Sequence, residues 1–584
     1  MNSPHKLAAM RATTRKIWAL TTPFFKSEQK WQARALLAGI IVLNLAAVYM
    51  LVLMNEWNRT FYDALQSRNQ PVFWAQLLRF TYLAFGYIVI AVYKFYLTLL
   101  LDLRWRAWMT GHYLKRWLAG QTFYRMELAR YSGAGGTPDN PDQRIQEDLG
   151  LFTNYSITLS MGLLNAAVTL VSFVGILWTL SGGFVFHVGG TAYEIPGFMV
   201  WAALAYCIGG SVVTHYIGRP QIPLNFMQQR FEADFRHHMV RVREYSEAIA
   251  LDKGEQVEGK HLELRFGAVL ANYLRLIRAQ KNLVWFTSFF GQAAIIFPFL
   301  VAAPRFFAGA IQLGELMQIS SAFGRVQDSL AWFVENYSSL AAWRATSDRL
   351  TSFEESVAGR GRESQPQVAR GADALTTQGL SLALPDGSVL LSDLDLHVAP
   401  GESVIIKGPS GSGKSTLFRA FAGIWPFAHG KVEIPPDTMC IPQNPYFPDG
   451  PLRDALAYPE PAACYSDEQL RQALEAALLP QLIPRLADED AWTQKLSGGE
   501  RQRLALARVF LKQPAWVLAD EATSALDEHA EHTIYERLSD LVRRRDGSLV
   551  SIGHRPALDA FHGRRWEVGR QTGAPSAAFQ LRQA

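Results

Sequence analysis

The chain has 584 residues, several times the size of one domain, so two or more domains are expected. Hydrophobic residues make up 49% and charged residues 19%, an average over a greasy part and a soluble part. The formal charge of +5 is small and spread out, with no dense basic block among aromatics, which argues against a nucleic-acid partner; three scattered cysteines exclude a disulfide framework and a C-x-x-C metal pair.

Lys6, Arg11, Arg15, Lys16, Lys26, Lys30 and Arg34 precede the first apolar run. That run is too long for a cleaved signal and lacks a small-residue cleavage site, so residues 1–34 read as a basic cytoplasmic tail. Residues 35–54 form an apolar stretch long enough to cross the ~30 Å hydrocarbon core of a lipid bilayer. Four more spans are expected near 80–101, 155–180, 196–217 and 283–303. A sixth, within 313–343, carries Glu315, Arg325, Asp328 and Glu335 and rests on parity, because an even count returns the chain to its starting side.

Basic residues orient these spans. Seven Lys/Arg precede residue 35, seven lie in 102–150 and eleven in 219–281, whereas 181–195 has none. The positive-inside rule then places the N-terminus, both long loops and the C-terminal half in the cytoplasm. Segments 103–130 and 226–264 read as helices that continue out of the membrane. Six spans with such extensions resemble exporter-type ABC transporters in fold.

A stretch rich in Gly, Arg, Ser, Gln and Pro, 354–373, marks the domain boundary. The expected division is a tail (1–34), a membrane domain (35–350), a linker (351–373), an α/β nucleotide-binding domain (374–572) and a mobile tail (573–584). Within the α/β part, Gly408-Pro409-Ser410-Gly411-Ser412-Gly413-Lys414-Ser415-Thr416 fits the phosphate-loop pattern G-x-x-x-x-G-K-[ST]. An apolar strand precedes it and a helix follows, the context that the motif needs. Glycines let backbone N–H groups wrap phosphate oxygens at a helix N-terminus. Lys414 would reach the β and γ phosphates of ATP, and Ser415 would hold Mg²⁺. Downstream, the strand Trp516-Val517-Leu518-Ala519 ends in Asp520-Glu521. Asp520 would help to hold Mg²⁺, and Glu521 is placed to polarise the attacking water.

Further motifs make a resemblance specific. Leu496-Ser497-Gly498-Gly499-Glu500-Arg501-Gln502-Arg503 resembles the ABC signature, and Ser524-Ala525-Leu526-Asp527 the D-loop. Gln443 resembles the Q-loop glutamine and His554 the switch histidine. In this order and spacing they identify residues from about 370 to about 570 as an ABC ATPase. The resemblance implies catalytic roles for Glu521, His554 and Gln443, with Gln443 also near the metal. It implies that Ser497, Gly498 and Gly499 hold the γ-phosphate of ATP bound to a second subunit, hence a homodimer. One departure stands out. The position where ABC domains stack adenine on an aromatic residue is Leu384 here.

The membrane half resembles two groups. Asn55 to Gln66 (Asn-Glu-Trp-Asn-Arg-Thr-Phe-Tyr-Asp-Ala-Leu-Gln) and Ile217 to Phe226 resemble SbmA/BacA-type bacterial uptake proteins. Asp139 to Ile145 and Arg243 to Ala250 are also similar to peroxisomal fatty-acyl (ALD) ABC transporters. Together they point to bacterial YddA-like proteins, which fuse both domains. The resemblance places Glu247 near the coupling region. Arg325, Asp328 and Glu335 can share a helix face, either lining a polar path or forming local pairs. The expectation is a multi-pass transporter of the bacterial inner membrane that imports peptides or other hydrophilic solutes. A fatty-acyl cargo remains open, and a non-transport ABC ATPase is the third reading.

Overall fold

The computed structural model describes residues 4–129, 140–181, 185–188, 191–359, 367–570 and 579–583. Asp139, quoted above, lies outside them. The chain divides into two compact units, Met1–Tyr113 with Asp142–Ser352, and Leu114–Pro141 with Phe353–Ala584.

The first unit is helical. Its N-terminal helices are α1 (Pro4–Lys26), α2 (Lys30–Gln66) and α3 (Gln70–Leu118), the last turn of which belongs to the second unit. After α4 (Thr122–Leu128) and the short α5 (Pro141–Gln143) come α6 (Leu149–Leu180), a hairpin of β1 (Val185–Val188) and β2 (Thr191–Glu194), and α7 (Phe198–Gly218). Then follow α8 (Gln221–Glu244), α9 (Ser246–Leu251), α10 (Glu255–Phe307), α11 (Leu313–Glu335) and α12 (Tyr337–Gly359). Among the described residues, five helical runs, containing α2, α3, α6, α7 and α10, are long and apolar enough to cross a membrane. They match the five spans read from hydropathy.

The sixth helix, α11, is held by packing rather than by overall apolarity. Leu316, Ile319, Phe323 and Val326 recur at helical spacing and are buried against Phe173 and Leu177 of α6, Met199 of α7 and Ala302 of α10. The end of α2 caps its start. Gln66 Oε1 accepts from the Leu313 N–H at 2.7 Å, and Asp63 Oδ1 from the Gly314 N–H at 2.8 Å. Both donors are in the first turn, where the helix itself offers no partner. The Asn55–Gln66 stretch therefore has a physical task, to seat α11. Lys94, the one charge of the second span, donates to the buried Asn44 at 3.0 Å.

A buried carboxylate joins the start of α6 to α12. Asp148 is 1% exposed. It accepts from Arg144 at 2.5 Å and from Arg349 at 2.5 and 2.9 Å, which ties the start of α6 to α12. α12 runs on to Gly359, so the stretch expected to open as a linker at 351 is helical there. Its residues 360–366 lie outside the described ones.

The second unit holds the α/β part. It comprises β3 (Gln367–Arg370), β4 (Leu375–Ala383), β5 (Val389–Leu394), β6 (His397–Val398), β7 (Ser403–Lys407), α13 (Lys414–Phe421), β8 (Ala428–Ile434) and β9 (Thr438–Ile441). A helical stretch follows with β10 (Gly450–Pro451), α14 (Leu452–Ala457), α15 (Asp467–Ala476), β11 (Glu489–Asp490), α16 (Trp492–Lys495) and α17 (Gly498–Lys512). β12 (Trp516–Asp520), α18 (Glu528–Arg544), β13 (Ser548–Ile552), β14 (Arg564–Arg570) and β15 (Phe579–Gln583) complete it. A six-stranded sheet has the order β15-β14-β7-β13-β12-β9, parallel except for β15. A second sheet has the order β3-β8-β4-β5, with β6 also paired to β4. β7 sends Ile405 into one apolar core and Val404 and Ile406 into the other, so it is buried on both faces.

One expectation needs correction. The tail 573–584, expected to be mobile, contains a strand: Phe579–Gln583 pairs antiparallel with β14 and closes the sheet edge; 573–578 lie outside the described residues. Of the three cysteines, Cys207 is buried and Cys440 and Cys464 are exposed. Segment 114–141 joins the second unit through Leu128, which packs on the core of the β4 sheet, and through an Arg116–Glu354 ion pair.

A Cβ added at Gly314 would collide with the Arg59 carbonyl and approach the Asp63 carboxylate at 2.5 Å. Gly314→Val is expected to unseat α11 and to destabilise the protein by about 1–3 kcal/mol. Thermal unfolding of the detergent-solubilised protein checks this, and an unchanged melting temperature would contradict the capping role.

Candidate functional site: a nucleotide-binding loop and a carboxylate held by two neighbours

The phosphate loop follows β7, whose neighbours are β13 and β14, so it sits at the carboxyl ends of parallel strands. Gly408 has φ 154°, and a Cβ there would lie 2.5 Å from the Val568 carbonyl oxygen, so only glycine fits. Gly411 and Gly413 have φ of 77° and 90°, and Gly413 precedes the first turn of α13. Lys414 is 5% exposed and donates to the Gly408 and Pro409 carbonyls at 2.8 and 2.9 Å. Burial pushes its ammonium below the ordinary lysine range, and Glu521 and Asp520 oppose that shift. The Ser412 hydroxyl is buried with no hydrogen-bond partner. A buried cation, an orphaned hydroxyl and loop N–H groups at a helix start fit a polyphosphate.

The metal-binding expectation rests on Ser415 and Asp520. Ser415 Oγ donates to Asp520 Oδ1 at 3.0 Å, which brings both oxygens to one place. Burial raises the Asp520 carboxyl above the ordinary range, and the Ser415 hydrogen bond counters it. A hydroxyl and a carboxylate oxygen suit Mg²⁺, a hard cation that takes oxygen ligands. The structure brings Gln443 to Glu521 instead. Its amide nitrogen donates to Glu521 Oε2 at 2.8 Å, which leaves the amide oxygen as the atom that could face a metal.

Glu521 is the convergence point. Gln443 follows β9, Glu521 follows β12 and His554 follows β13, and these strands are neighbours in the sheet. Gln443 binds one carboxylate oxygen, and His554 Nε2 lies 3.2 Å from the other. Glu521 has φ 47°, an unusual left-handed conformation for a non-glycine residue. Its N–H donates to the Ile552 carbonyl at 3.1 Å, which fixes the backbone there.

The signature segment starts α17. Ser497 is its N-cap in a capping box: its Oγ accepts from the Glu500 N–H at 3.4 Å while Glu500 Oε2 accepts from the Ser497 N–H at 3.0 Å, and also from the Ser497 hydroxyl at 2.8 Å. Those bonds hold the Glu500 carboxyl below the ordinary range. Ser497 and Gly498 are exposed and Gly499 half-buried, so N–H groups at a helix start face outward. Leu384 is partly buried against the core of the β4 sheet and is not an open stacking platform.

Sequence reading gave no structural task to the residues that hold these loops together. Gln502, 6% exposed, donates to the Glu521 carbonyl at 3.3 Å and to Ser524 Oγ at 2.9 Å, and accepts from the Ala525 N–H at 2.8 Å. Arg555 donates to the Leu526 and Ser524 carbonyls and lies 3.3 Å from Glu531. Glu531 is 2% exposed and also accepts from Thr523 at 2.6 Å. Asp527 caps α18 by accepting from the Ala530 N–H. Glu531 reads as an ordinary helix-surface carboxylate in sequence; only its burial gives it away.

Comparison with known proteins gives the family. The family described as "ABC transporter transmembrane region 2" matches residues 20–307, and the family described as "ABC transporter" matches 391–524. The chain is 34% identical to the inner membrane ABC transporter ATP-binding protein YddA of Escherichia coli, over 94% of this chain and 96% of that one. It is 26% identical to the lysosomal cobalamin transporter ABCD4 of Homo sapiens, over 81% and 82% of the two chains. The fold matches a solved bacterial Atm1-family ABC exporter with ATP bound, at a TM-score of 0.72 and 18% identity, covering 91% of this chain and 94% of that one. The chain belongs to the ABC transporter family, as a YddA-like half-transporter that joins one membrane domain to one ATPase domain and is related to the ABCD transporters.

Proposed function

We propose that two copies of the chain form an ATP-driven transporter of a bacterial inner membrane that takes up peptides or other hydrophilic solutes. ATP-driven membrane transport follows from the family; the homodimer, the membrane and the cargo are the proposal. The observation that carries the cargo reading is the second face of α11. Arg325, Asp328 and Glu335 are exposed, on a helix whose opposite face is buried in its own bundle. Charges at membrane depth are costly against lipid and normally face a bundle interior or a water-filled path. In a half-transporter that path lies between copies. The name of the YddA relative supports an inner membrane, and the cobalamin transporter among the relatives supports a polar cargo.

The residues act as follows. Lys414 leaves the Gly408 and Pro409 carbonyls for phosphate oxygens, a move that a flexible stem allows. Ser415 and Asp520 would hold Mg²⁺, which neutralises charge on the phosphates. Glu521 orients and polarises the attacking water, while Gln443 and His554 keep its carboxylate in position. The outward-facing Ser497, Gly498 and Gly499 meet the γ-phosphate held by the other copy. Gln502 and Arg555 tie the signature helix, the D-loop and the His554 loop into one body, so closure at one loop moves the others. α9, with exposed Glu247 and Leu251, is the turn through which closure would reach the membrane helices.

Glu521→Gln is expected to retain ATP binding while hydrolysis falls by about 10²–10⁴-fold. Full ATPase activity of the purified variant would refute the assigned role. Lys414→Ala should abolish ATP-dependent solute accumulation in proteoliposomes; accumulation that persists would point to another energy source. Sealed vesicles offered labelled peptide and labelled acyl-CoA side by side should accumulate the peptide. Accumulation of acyl-CoA alone would replace the polar-cargo reading with the acyl one.

A further inference from the structure

Away from the nucleotide site, α8 and α10 bring three metal-ligating side chains to one point. His238 lies near the end of α8, and Glu258 and His261 lie near the start of α10. His238 Nε2 is 2.7 Å from Glu258 Oε2, and His261 Nδ1 is 3.9 Å from the same oxygen. The two imidazoles stand 5.8 Å apart at 79° to each other. All three ligand atoms fall within 4.8 Å of one another. The α10 pair is spaced i, i+3, so both side chains share one helix face.

An ordinary histidine–carboxylate pair does not explain this arrangement. His238 Nε2 is buried and close to Glu258 but not aligned for a hydrogen bond. A single ion pair also leaves the second imidazole, turned toward the same oxygen, without a task. We infer that His238, Glu258 and His261 form a binding site for a divalent cation of the zinc class, which clamps α8 to α10.

Two imidazole nitrogens and one carboxylate oxygen are ligands that Zn²⁺ favours, and the fourth tetrahedral position is left to water. Zinc bonds of about 2.0–2.2 Å put tetrahedral ligand atoms roughly 3.3 Å apart. The 2.7 and 3.9 Å separations bracket that spacing, so small side-chain rotations reach it. Mg²⁺ and Ca²⁺, which prefer all-oxygen sets, fit poorly. A groove of about 400 Å³ lined by Asp234, His237, His238 and Arg241 opens beside the site and gives a path of entry. The clamp lies at the base of α9, the exposed turn between the two helices. A bound cation would fix the spacing of the helix pair that carries Glu247.

Untagged full-length protein in detergent, dialysed against Zn²⁺ alone and counted by elemental mass spectrometry, tests the site. One Zn²⁺ per chain is expected, with affinity lowered by at least about tenfold in His238→Ala and in His261→Ala. His237→Ala should bind as the parent does. Co²⁺ provides a second readout, because a tetrahedral nitrogen–oxygen site gives visible d–d bands that Glu258→Gln should weaken. Equal Zn²⁺ binding by the parent and the His238→Ala/His261→Ala variant would overturn the site. So would a parent protein with no saturable Zn²⁺ binding or no Co²⁺ bands.

Discussion

Glu521 accepts a hydrogen bond from Gln443 at 2.8 Å and lies 3.2 Å from His554, and these contacts join loops that end three adjacent strands. The carboxylate can be held this way because β9, β12 and β13 are parallel neighbours whose carboxyl ends share one edge. The left-handed backbone at Glu521 turns the chain sharply enough to leave its side chain there. Lys414 and Asp520 sit next to it and feel its charge. The phosphate loop, the Ser415–Asp520 pair proposed to hold Mg²⁺ and the carboxylate proposed to orient water thus depend on one sheet edge, which the two apolar cores around β7 and β12 support.

In the proposed dimer that edge is only part of a site. The other half would be the N-terminal turn of α17, which is exposed, with Ser497 pinned by Glu500. A helix start with oriented N–H groups attracts a phosphate held opposite it. Gln502 links this helix to the D-loop, and Arg555 links the D-loop to the His554 segment, through half-buried bonds worth about 0.5–1.5 kcal/mol each. These bonds tie the α17 turn to the Glu521 edge, as the proposed cross-linking of two copies by one phosphate requires.

Much of this was legible in the sequence because it is local. Gly408, Gly413 and Lys414 announce the loop, since their spacing is fixed by how a backbone wraps a phosphate. The five apolar helices announce themselves by length. What stayed hidden depends on tertiary contact. α11 carries too many charges for hydropathy, and its place in the bundle comes from Asp63 and Gln66, some 250 residues earlier. Glu531 and Gln502 look like surface residues until burial is known. Residues 579–583 have no motif, yet β14 offers an open edge that they complete. Segment 114–141 follows a membrane helix in sequence but belongs to the ATPase unit, through Leu128.

In the proposed dimer each ATP is enclosed by the phosphate loop of one copy and the signature turn of the other. The most direct measurement is disulfide cross-linking between two chains in which Cys207, Cys440 and Cys464 have been replaced. One chain carries Ser410→Cys in the phosphate loop, and the other carries Ser497→Cys in the signature. A covalent dimer is expected to form from the mixed pair in the presence of ATP and from neither chain alone. A mixed pair that stays monomeric with ATP bound would contradict it.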